Sequence, residues 1–218
     1  MTTQGESKTF VLGVTGGSGA PYALRLLEAL LAAGHRLQLV VSPAGARVLR
    51  YEAGLPTDAA DFDYASLAPA PLRSRLEVFD VAAVESTPAS GSAVIDGVVL
   101  CPCSMGTLAR VAHGFSSNLV ERAADVALKE GRRLVVVPRE TPLSVIHLRN
   151  MLALAEAGAV VLPAMPGFYH RPGHVADLVD FVVGRILDKL GLDHELAARW
   201  RTPESPAVDP WNEGEVSG

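Results

Sequence analysis

Val11-Leu-Gly-Val-Thr15-Gly-Gly-Ser18-Gly-Ala20-Pro21 is the stretch that decides the fold. An apolar run ends in glycines and two hydroxyl side chains, and the pattern of an amphipathic helix begins directly after it. The stretch predicts a strand, a tight turn and a helix N-terminus, where backbone N–H groups can close on an anion. It contains no G-K-[ST] and lacks the third glycine of the dinucleotide fingerprint. Taken alone, the turn is equally typical of a purely structural junction.

Apolar strands and amphipathic helices alternate along the rest of the chain. Hydrophobic spacing and helix stop signals predict strands at residues 9–14, 36–41, 76–84, 97–102, 133–137 and 160–162, and helices at 21–33, 44–51, 105–112, 119–130, 145–157 and 175–190. Asn118, with Glu121 three residues later, predicts a capping box. The alternation predicts an α/β fold, a three-layer Rossmann-like doubly wound parallel sheet of about six strands in the order 3-2-1-4-5-6.

The organisation predicted from this pattern is one domain with two short ends. Residues 9–200 form the predicted domain, residues 1–8 a disordered N-terminus, and the polar tail 201–218 is expected to be disordered or wrapped on a partner. Between the second helix and the third strand, residues 54–75 show no clear period and are expected to form an irregular surface segment.

Composition excludes several classes of protein. The chain has 218 residues, 49% of them hydrophobic, and a net charge of −5 from 24 acidic and 19 basic residues. This balance argues against a general nucleic-acid or membrane-surface binder. No apolar run is long enough for a transmembrane helix or signal peptide, and the two cysteines, Cys101 and Cys103, do not form a disulfide framework. We therefore expect a cytoplasmic protein.

Candidate functional side chains follow the predicted strands, as expected for an open parallel sheet whose ligands bind beyond the carboxyl ends. Ser42 occupies the position where NAD-binding folds usually carry an acidic residue, which makes NAD a poor candidate. Arg139 and Glu140 after the fifth strand form either a structural ion pair or, as their position favours, an anion-binding arginine beside a proton-transferring carboxylate. The strand-end groups are Ser18, Ser42, Ser90 to Ser92, Ser104 to Thr107, and Arg139 with Glu140.

Other candidates are weaker on spacing alone. Arg122, Asp125 and Lys129 share one helical stripe, and such stripes are usually solvated. Tyr169 and Arg171 suit a phosphate but lie in a loop where aromatic residues often only pack. The remaining charges considered are Glu52 after the second helix and Arg185 inside an apolar helix. The six histidines and the lone C-x-C show no metal-ligand spacing, and no G-x-S-x-G elbow is present.

Seven motifs together resemble the UbiX-type flavin prenyltransferases over about residues 10–200. They are T-G-G-S-G-A at Thr15, P-A-S-G-S at Pro88, C-P-C-S-M-G-T at Cys101, N-L-V-E-R-A-A-D-V-A-L-K-E at Asn118, P-R-E-T-P-L at Pro138, I-H-L-R-N-M-L at Ile146 and P-G-F-Y-H-R-P at Pro166. The resemblance implies a fold shared with flavin-containing cysteine decarboxylases, a homo-oligomer, typically a dodecamer, and no metal. It implies transfer of a dimethylallyl group from dimethylallyl phosphate to N5 and C6 of reduced FMN, giving prenylated FMN for a UbiD-type decarboxylase.

The same resemblance implies roles for individual residues. Ser18 and Glu52 resemble the pair near N5 that assists the second bond formation. The implied FMN contacts are Gly16, Gly17, Ser18, Ser42, Ser104, Met105, Gly106, Thr107 and Arg139. The implied prenyl-phosphate set is Lys129, Arg139, Glu140, Tyr169 and Arg185, with Lys129 and Glu140 also catalytic. Cations aimed at the departing phosphate can replace a metal ion, with Glu140 as acid and base.

Two alternatives and one departure from the family accompany this interpretation. Some members carry a Trp shortly before P-A-S-G-S, where this chain has Val84. The sequence therefore does not define the local shape of the prenyl pocket. The sequence does not separate dimethylallyl phosphate from its diphosphate. An FMN-dependent decarboxylase of the peptidyl-cysteine or phosphopantothenoylcysteine type shares the fold, although those relatives favour P-A-S-A-N-T at this loop. A non-catalytic FMN-binding protein is the second alternative.

Overall fold

Six parallel strands form one sheet in the order β3-β2-β1-β4-β5-β6, which confirms the predicted order. Neighbouring strands start together, since Phe10 pairs with both Leu37 and Gly97, and Gly97 pairs with Arg133. The strands are β1 (Thr9–Val14), β2 (Arg36–Val41), β3 (Leu76–Phe79), β4 (Gly97–Cys103), β5 (Arg133–Pro138) and β6 (Val160–Val161). Every residue of β4 is buried, as expected for a central parallel strand covered on both faces.

The computed structural model describes residues 6–57 and 62–196. The chain forms two compact units, Met1–Ala164, which contains the sheet, and Met165–Gly218. Residues 1–5 of the predicted N-terminal segment and the whole predicted tail 201–218 lie outside the described residues. Within the described part, no helix is both long and apolar enough to cross a bilayer.

The α-helices described in the first unit are α1 (Ala20–Ala32), α2 (Pro43–Ala53), α3 (Met105–Ala112), α4 (Leu119–Lys129) and α5 (Val145–Glu156). Four of them pack against strands of the sheet, and α2 packs on α1. The approach of α4 to β1 is close, because a Cβ on Gly13 would lie 2.9 Å from Val120 Cγ1 and from Leu100 Cδ2. Val11, Val98 and Leu100 of the sheet join Val120 of α4 in one buried cluster.

Polar side chains begin four of these helices at the ends of strands and turns. Each accepts a hydrogen bond from the amide three residues later, which satisfies one of the free N–H groups of a first helical turn. The capping residues are Ser42, Ser104, Asn118 and Ser144. The predicted capping box at Asn118 is half wrong. Glu121 Oε2 accepts from Ser117 N and its Oε1 from Arg110, so the return bond to Asn118 is not made.

The segment between α2 and β3 is more ordered than its composition predicts. Its described residues contain two 3₁₀ helices, Tyr64–Leu67 and Ala70–Arg75.

The third strand is shorter than predicted, because β3 ends at Phe79 rather than at residue 84. A turn begins at Asp80, whose Oδ1 accepts from Ala82 N and whose carbonyl accepts from Ala83 N. This local hydrogen bonding removes those groups from the sheet.

The described residues of the second unit form one long helix, α6 (Val175–Leu190). Its C-terminus is capped by Gly191 in the left-handed conformation, with φ of 69°. Before the helix, His170 stacks on Phe181 with ring centroids 5.1 Å apart, and Tyr169 meets Phe181 edge-on at 5.5 Å. These rings tie the loop 165–174 to the helix that follows it.

Candidate active site at the carboxyl edge of the sheet

Three strand–helix turns meet beyond the carboxyl ends of β1, β2 and β4. The hydroxyl of Thr15 donates to Pro102 O at 2.9 Å and accepts from Ser104 N at 2.7 Å, which joins the turns after β1 and β4. Ser42 N donates to Val14 O at 3.0 Å, which joins the turns after β1 and β2. The turns that carry Ser18, Ser42 and Ser104 are therefore brought together at one edge. The prediction that Ser90 to Ser92 join them is wrong, because that loop lies against Lys129 and Arg132.

Glycine is required at this edge because backbone segments approach each other too closely for a side chain. A Cβ on Gly16 would lie 2.7 Å from Ala44 Cβ, and one on Gly17 would lie 3.1 Å from Cys103 O. Gly19 has φ of 136°, a conformation that other residues rarely adopt. The turn 16–19 therefore presents backbone with few side chains, and Gly16 is exposed to solvent.

Glu52, in the last turn of α2, contacts this glycine-rich turn. Its Oε2 accepts hydrogen bonds from Gly19 N and Ala20 N, both at 2.8 Å, at the N-terminus of α1. Free amides and the helix dipole make this a favourable position for a negative charge. The sequence predicted that the turn could hold an anion, and part of that capacity is used by a carboxylate of the chain itself.

The electrostatics of Glu52 link it to two other predicted residues. Burial raises the pKa of its carboxyl. Hydrogen bonds from Ser18 and from the Gly19 and Ala20 amides, with the charge of Arg139, lower that pKa by more, so that it lies below its ordinary value of 4.5. Glu52 is therefore ionised at neutral pH. Ser18, Glu52 and Arg139 share one neighbourhood although they are far apart in sequence.

Arg139 and Glu140 follow β5 directly, as predicted. Arg139 is exposed, and Glu140 is partly buried, with its Oε1 accepting from Thr141 N at 3.0 Å. The two side chains are not paired with each other in any ion pair that the described residues show. Of the two alternatives considered for them, a simple structural ion pair is wrong.

The serine and threonine candidates have structural partners of their own. Ser42 Oγ accepts from Gly45 N at 3.0 Å, and Ser104 Oγ donates to Thr107 Oγ1 at 3.1 Å. Met105 and Thr107 are buried, whereas Gly106 is exposed at the start of α3. Helix capping accounts for Ser42 and Ser104 locally, and it leaves the backbone around Gly106 facing solvent.

Lys129 lies at the opposite edge of the sheet from these residues. It is the last residue of α4, and β5 begins four residues later at Arg133. The six residues of β5 rise by ~3.3 Å each, so roughly 20 Å separates this edge from Arg139. Lys129 Nζ forms an ion pair with Glu130 and lies beside Gly91, where a Cβ would be 3.1 Å away. Within one chain, Lys129 is not brought to Ser18 and Glu52.

Tyr169 and Arg185 belong to the second unit. Tyr169 contacts the rings of His170 and Phe181, and Arg185 Nη1 donates to Asp188 Oδ2 at 2.9 Å. Arg185 is therefore an exposed residue of α6 that forms an i,i+3 ion pair. Asp188 thus provides a partner for the charge that Arg185 places on an otherwise apolar helix.

Two sets of contacts made by charged side chains were missed by sequence reasoning. Glu121 is fully buried and binds Arg110, whose charge also acts on the Cys103 thiol. Arg132 donates to the carbonyls of Ser90, Gly91 and Ala93 and holds that loop in place. A charged residue at a predicted helix N-terminus could have indicated the pair of Glu121 with Arg110. Nothing in local spacing indicates the contacts of Arg132.

The two cysteines lie in the interior of the first unit. Both Cys101 and Cys103 are free and completely buried. Burial raises the pKa of Cys103 to about 12, against the opposing effects of Arg110 and of the Leu108 amide, and raises the pKa of Cys101 still further.

Among residues 6–57 and 62–196, no group of three or more His, Cys, Asp or Glu side chains could hold a metal ion.

Comparisons with known proteins agree with this arrangement. The model of the Flavoprotein family matches residues 1–187. The curated flavin prenyltransferase UbiX of Halalkalibacterium halodurans is 47% identical over 191 residues, which cover 88% of this chain and 92% of the relative. The crystal structure of AnUbiX (PadA1) in complex with FMN and dimethylallyl pyrophosphate matches with a TM-score of 0.79 at 40% identity, covering 91% of this chain and 100% of that one. A dodecameric FMN-dependent UbiX-like decarboxylase from Escherichia coli O157:H7 gives 0.78 at 41%, covering 89% and 100%.

The fold and the glycine-rich carboxyl edge define a Rossmann-like flavoprotein, and the chain is a member of the Flavoprotein family. This agreement extends over nearly the whole folded chain. Within that family the chain belongs to the flavin prenyltransferases named UbiX, which confirms the resemblance stated from its motifs.

Proposed function

We propose that this chain transfers a dimethylallyl group from dimethylallyl phosphate to N5 and C6 of reduced FMN. The observation that carries the proposal is the neighbourhood of Ser18, Glu52 and Arg139 at the carboxyl edge of the sheet. The family supplies the reaction class, and this neighbourhood supplies the groups that the second bond formation needs. AnUbiX, the neighbour crystallised with FMN and dimethylallyl pyrophosphate, supports the choice of substrates.

The residues at this edge fit a bound flavin. Gly16 and Gly17 leave no room for side chains between the turns, and the backbone at Gly16 is exposed, so a ligand can approach it closely. The proposed FMN contacts are Gly16, Gly17, Ser18, Ser42, Ser104, Met105, Gly106, Thr107 and Arg139. When bound, reduced FMN supplies the nucleophilic N5 and C6 atoms to which the prenyl group becomes attached.

Ser18 and Glu52 have the chemistry of a proton-removing pair. The hydroxyl of Ser18 donates to a carboxylate that is held ionised by two backbone amides and by Arg139. A fixed, ionised carboxylate beside a hydroxyl can accept a proton without rearranging. We assign this pair the removal of the proton that must leave when the ring closes on the flavin.

The phosphate of the prenyl donor needs positive charge and a proton source. Arg139 provides a guanidinium at the carboxyl edge, and Glu140 beside it carries a carboxyl group that can give a proton to the departing phosphate and take it back. Lys129, Tyr169 and Arg185 complete the proposed set. Cations aimed at the leaving group stabilise its growing charge in the way a metal ion would.

A site that includes Lys129 requires a second copy of the chain, because Lys129 lies at the other edge of the sheet. We therefore propose a homo-oligomer, of which the dodecamer of the Escherichia coli neighbour is the model. The exposed apolar side chains of α5 support it. Val145, Ile146, Leu148 and Leu152 are each more than half exposed, an arrangement that favours burial against another subunit. A cytoplasmic location and delivery of prenylated FMN to a UbiD-type decarboxylase complete the proposal.

Anaerobic incubation with FMN, a reductant and dimethylallyl phosphate tests the reaction directly. Mass spectrometry of the released flavin should show the prenyl adduct, and the diphosphate run in parallel identifies the preferred donor. Glu140→Gln should lower turnover by about 10²-fold or more, the usual contribution of a general acid and base. Absence of adduct with FMN bound would overturn the proposal and favour a non-catalytic flavin carrier, whereas an unimpaired turnover of Glu140→Gln would contradict the role assigned to Glu140.

A decarboxylase is the second candidate, because the Escherichia coli neighbour carries that activity in its name. The two functions differ in their products. Release of CO₂ from a peptide with a C-terminal cysteine or from phosphopantothenoylcysteine, together with no prenyl adduct, would replace prenyl transfer as the conclusion.

A further inference from the structure

Arg132, which follows α4, binds the loop between β3 and β4 through three backbone carbonyls. Its Nη1 donates to Ser90 O at 3.2 Å, and its Nη2 donates to Gly91 O and to Ala93 O, the latter at 2.8 Å. The backbone of Arg132 is itself fixed, because its amide donates to Ala127 O at 2.8 Å at the end of the helix. The guanidinium therefore determines the path of the loop.

The three carbonyls set the direction of the neighbouring amides. The peptide bonds of this loop are trans, and in a trans peptide the C=O and the following N–H point in opposite directions. Because the carbonyls of Ser90 and Gly91 face Arg132, the N–H groups of Gly91 and Ser92 point away from it. Neither N–H has a hydrogen-bond partner among the described residues. Successive free amides of this kind can bind an anion.

Two hydroxyl groups belong to the same turn. Ser90 Oγ and Ser92 Oγ lie 3.1 Å apart, and one of them donates to the other. Since each hydroxyl carries one hydrogen, the second hydrogen stays available for a ligand. Ser92 is exposed to solvent, so a ligand can reach this turn.

A cation lies beside these donors. A Cβ on Gly91 would lie 3.1 Å from Lys129 Nζ, and the Lys129 side chain is 50% exposed. Glu130 accepts one of the three ammonium hydrogens, which leaves two for another acceptor. Amide, hydroxyl and ammonium donors together suit an acceptor that has negative charge and several oxygen atoms. The phosphate proposed for Lys129 is such an acceptor.

We propose that Arg132 is a positioning residue for the prenyl phosphate, and that the turn 90–93 binds this phosphate together with Lys129. The inference rests on the proposed function, since that function brings the prenyl phosphate to Lys129. Arg132 does not touch the substrate. It holds the carbonyls of the turn toward itself, so the amides of Gly91 and Ser92 and one serine hydroxyl donate to the phosphate oxygens. The P-A-S-G-S motif at Pro88 therefore has a function at the Lys129 edge.

Calorimetric titration of dimethylallyl phosphate into the full-length protein loaded with oxidised FMN measures binding without turnover, because the proposed nucleophile is the reduced flavin. Arg132→Gln and Arg132→Lys should each weaken this binding by about tenfold or more, the effect of losing one hydrogen bond to a charged group. Lysine keeps the charge but lacks the planar fork that reaches three carbonyls. The matched control is Arg133→Gln, which removes an exposed arginine at the adjacent position and should leave the affinity nearly unchanged.

Gly91→Pro tests the free amides directly, because it removes one N–H. Gly91 is the second residue of a turn closed by the bond from Ala93 N to Ser90 O, a position that suits proline. Ser90 has the extended ψ of 126° that a residue before proline needs. The control is Gly91→Ala, which adds a Cβ against Lys129 and Glu130 but keeps the N–H. Gly91→Pro should bind dimethylallyl phosphate about tenfold more weakly than Gly91→Ala.

Melting temperature and FMN affinity distinguish positioning from a purely structural role. Arg132→Gln should lower the melting temperature, Gly91→Pro should not, and both should keep the FMN affinity of the wild type. Equal binding of dimethylallyl phosphate by Gly91→Pro and Gly91→Ala would overturn the inference, as would wild-type affinity in Arg132→Gln. The expected binding changes without any prenyl adduct after reduction of the flavin would support the inference and contradict the proposed reaction alone.

Discussion

Ser18 and Glu52 are the residues whose individual chemistry matters most at the candidate site. The folded protein lowers the pKa of Glu52, so its carboxylate stabilises the fold above the unfolded value near 4.5 and loses that contribution as the pH falls through the lower, folded value. Glu52→Gln should therefore cost up to about 1 kcal/mol at neutral pH, a figure limited by the exposure of the side chain. The difference should shrink in acid.

Urea unfolding of both proteins across the acidic range measures this dependence. Glu28→Gln is the matched control, since Glu28 forms only an exposed i,i+3 pair with Arg25 on α1. A stability difference between wild type and Glu52→Gln that stays constant with pH would contradict the assigned role. In Ser18→Ala, an NMR titration of the Glu52 carboxyl should give a higher pKa than in the wild type.

Arg110 and Glu121 form an ion pair in which only the carboxylate is buried. Glu121 has no exposed surface, whereas the Arg110 side chain is 46% exposed. Arg110→Ala leaves a buried carboxylate with only the Ser117 amide as partner, and should destabilise the protein by about 3 kcal/mol or more. Arg122→Ala, which breaks the exposed pair with Asp125, should cost less than about 1 kcal/mol. Similar losses for the two variants in denaturant unfolding would contradict this account.

At the scale of elements, the loop between β3 and β4 is fastened to the end of α4. Arg132 binds three of its carbonyls, and Gly91 lies against the Lys129–Glu130 pair. A Cβ on Gly91 would come within 2.7 Å of Glu130 Oε1, the end of a flexible side chain that can move. Gly91→Ala should therefore leave stability nearly unchanged, displace Lys129, and raise KM for the prenyl phosphate.

A double-mutant cycle checks this connection. If Gly91→Ala acts through Lys129, its effect on KM should disappear in a Lys129→Gln background, because contacting residues give non-additive effects. Equal effects in both backgrounds would mean that Gly91 acts independently of Lys129.

The elements themselves were largely predictable, while their long-range partners were not. Hydrophobic runs and caps placed β1, β2 and α6 at their observed bounds, since those signals are local. Glu52 binds amides 32 and 33 residues earlier, and Arg132 binds carbonyls about 40 residues earlier, so no local spacing reveals either contact. The predicted capping box failed for the same reason, because Glu121 took a distant partner, Arg110, instead of Asn118.

At the scale of the whole molecule, the two edges of the sheet predict a site shared between subunits. Ser18 and Glu52 belong to one edge of a chain and Lys129 to the other. Mixing two inactive variants, Glu52→Gln and Lys129→Gln, and allowing subunits to exchange should restore activity. With random assortment, about one quarter of two-chain sites would contain both native residues.

The control for this experiment is a mixture of Glu52→Gln and Ser18→Ala. The structure holds Ser18 and Glu52 together within one chain, so exchange cannot rebuild the pair and activity should stay low. No recovery in the first mixture, with subunit exchange confirmed by native mass spectrometry, would argue that each chain works alone.

Burial of the Cys101 and Cys103 thiols has a consequence for a protein that handles an allylic phosphate. An allylic phosphate is an alkylating agent, and an enzyme that activates one beside a thiolate would modify itself. Cys103 comes directly before Ser104 at the carboxyl edge, yet burial keeps it protonated far above neutral pH, and Cys101 more so. Sulfur in that state is a poor nucleophile. The C-P-C strand thus supplies apolar packing beside the proposed prenyl-transfer site without offering an alkylating agent a reactive thiolate.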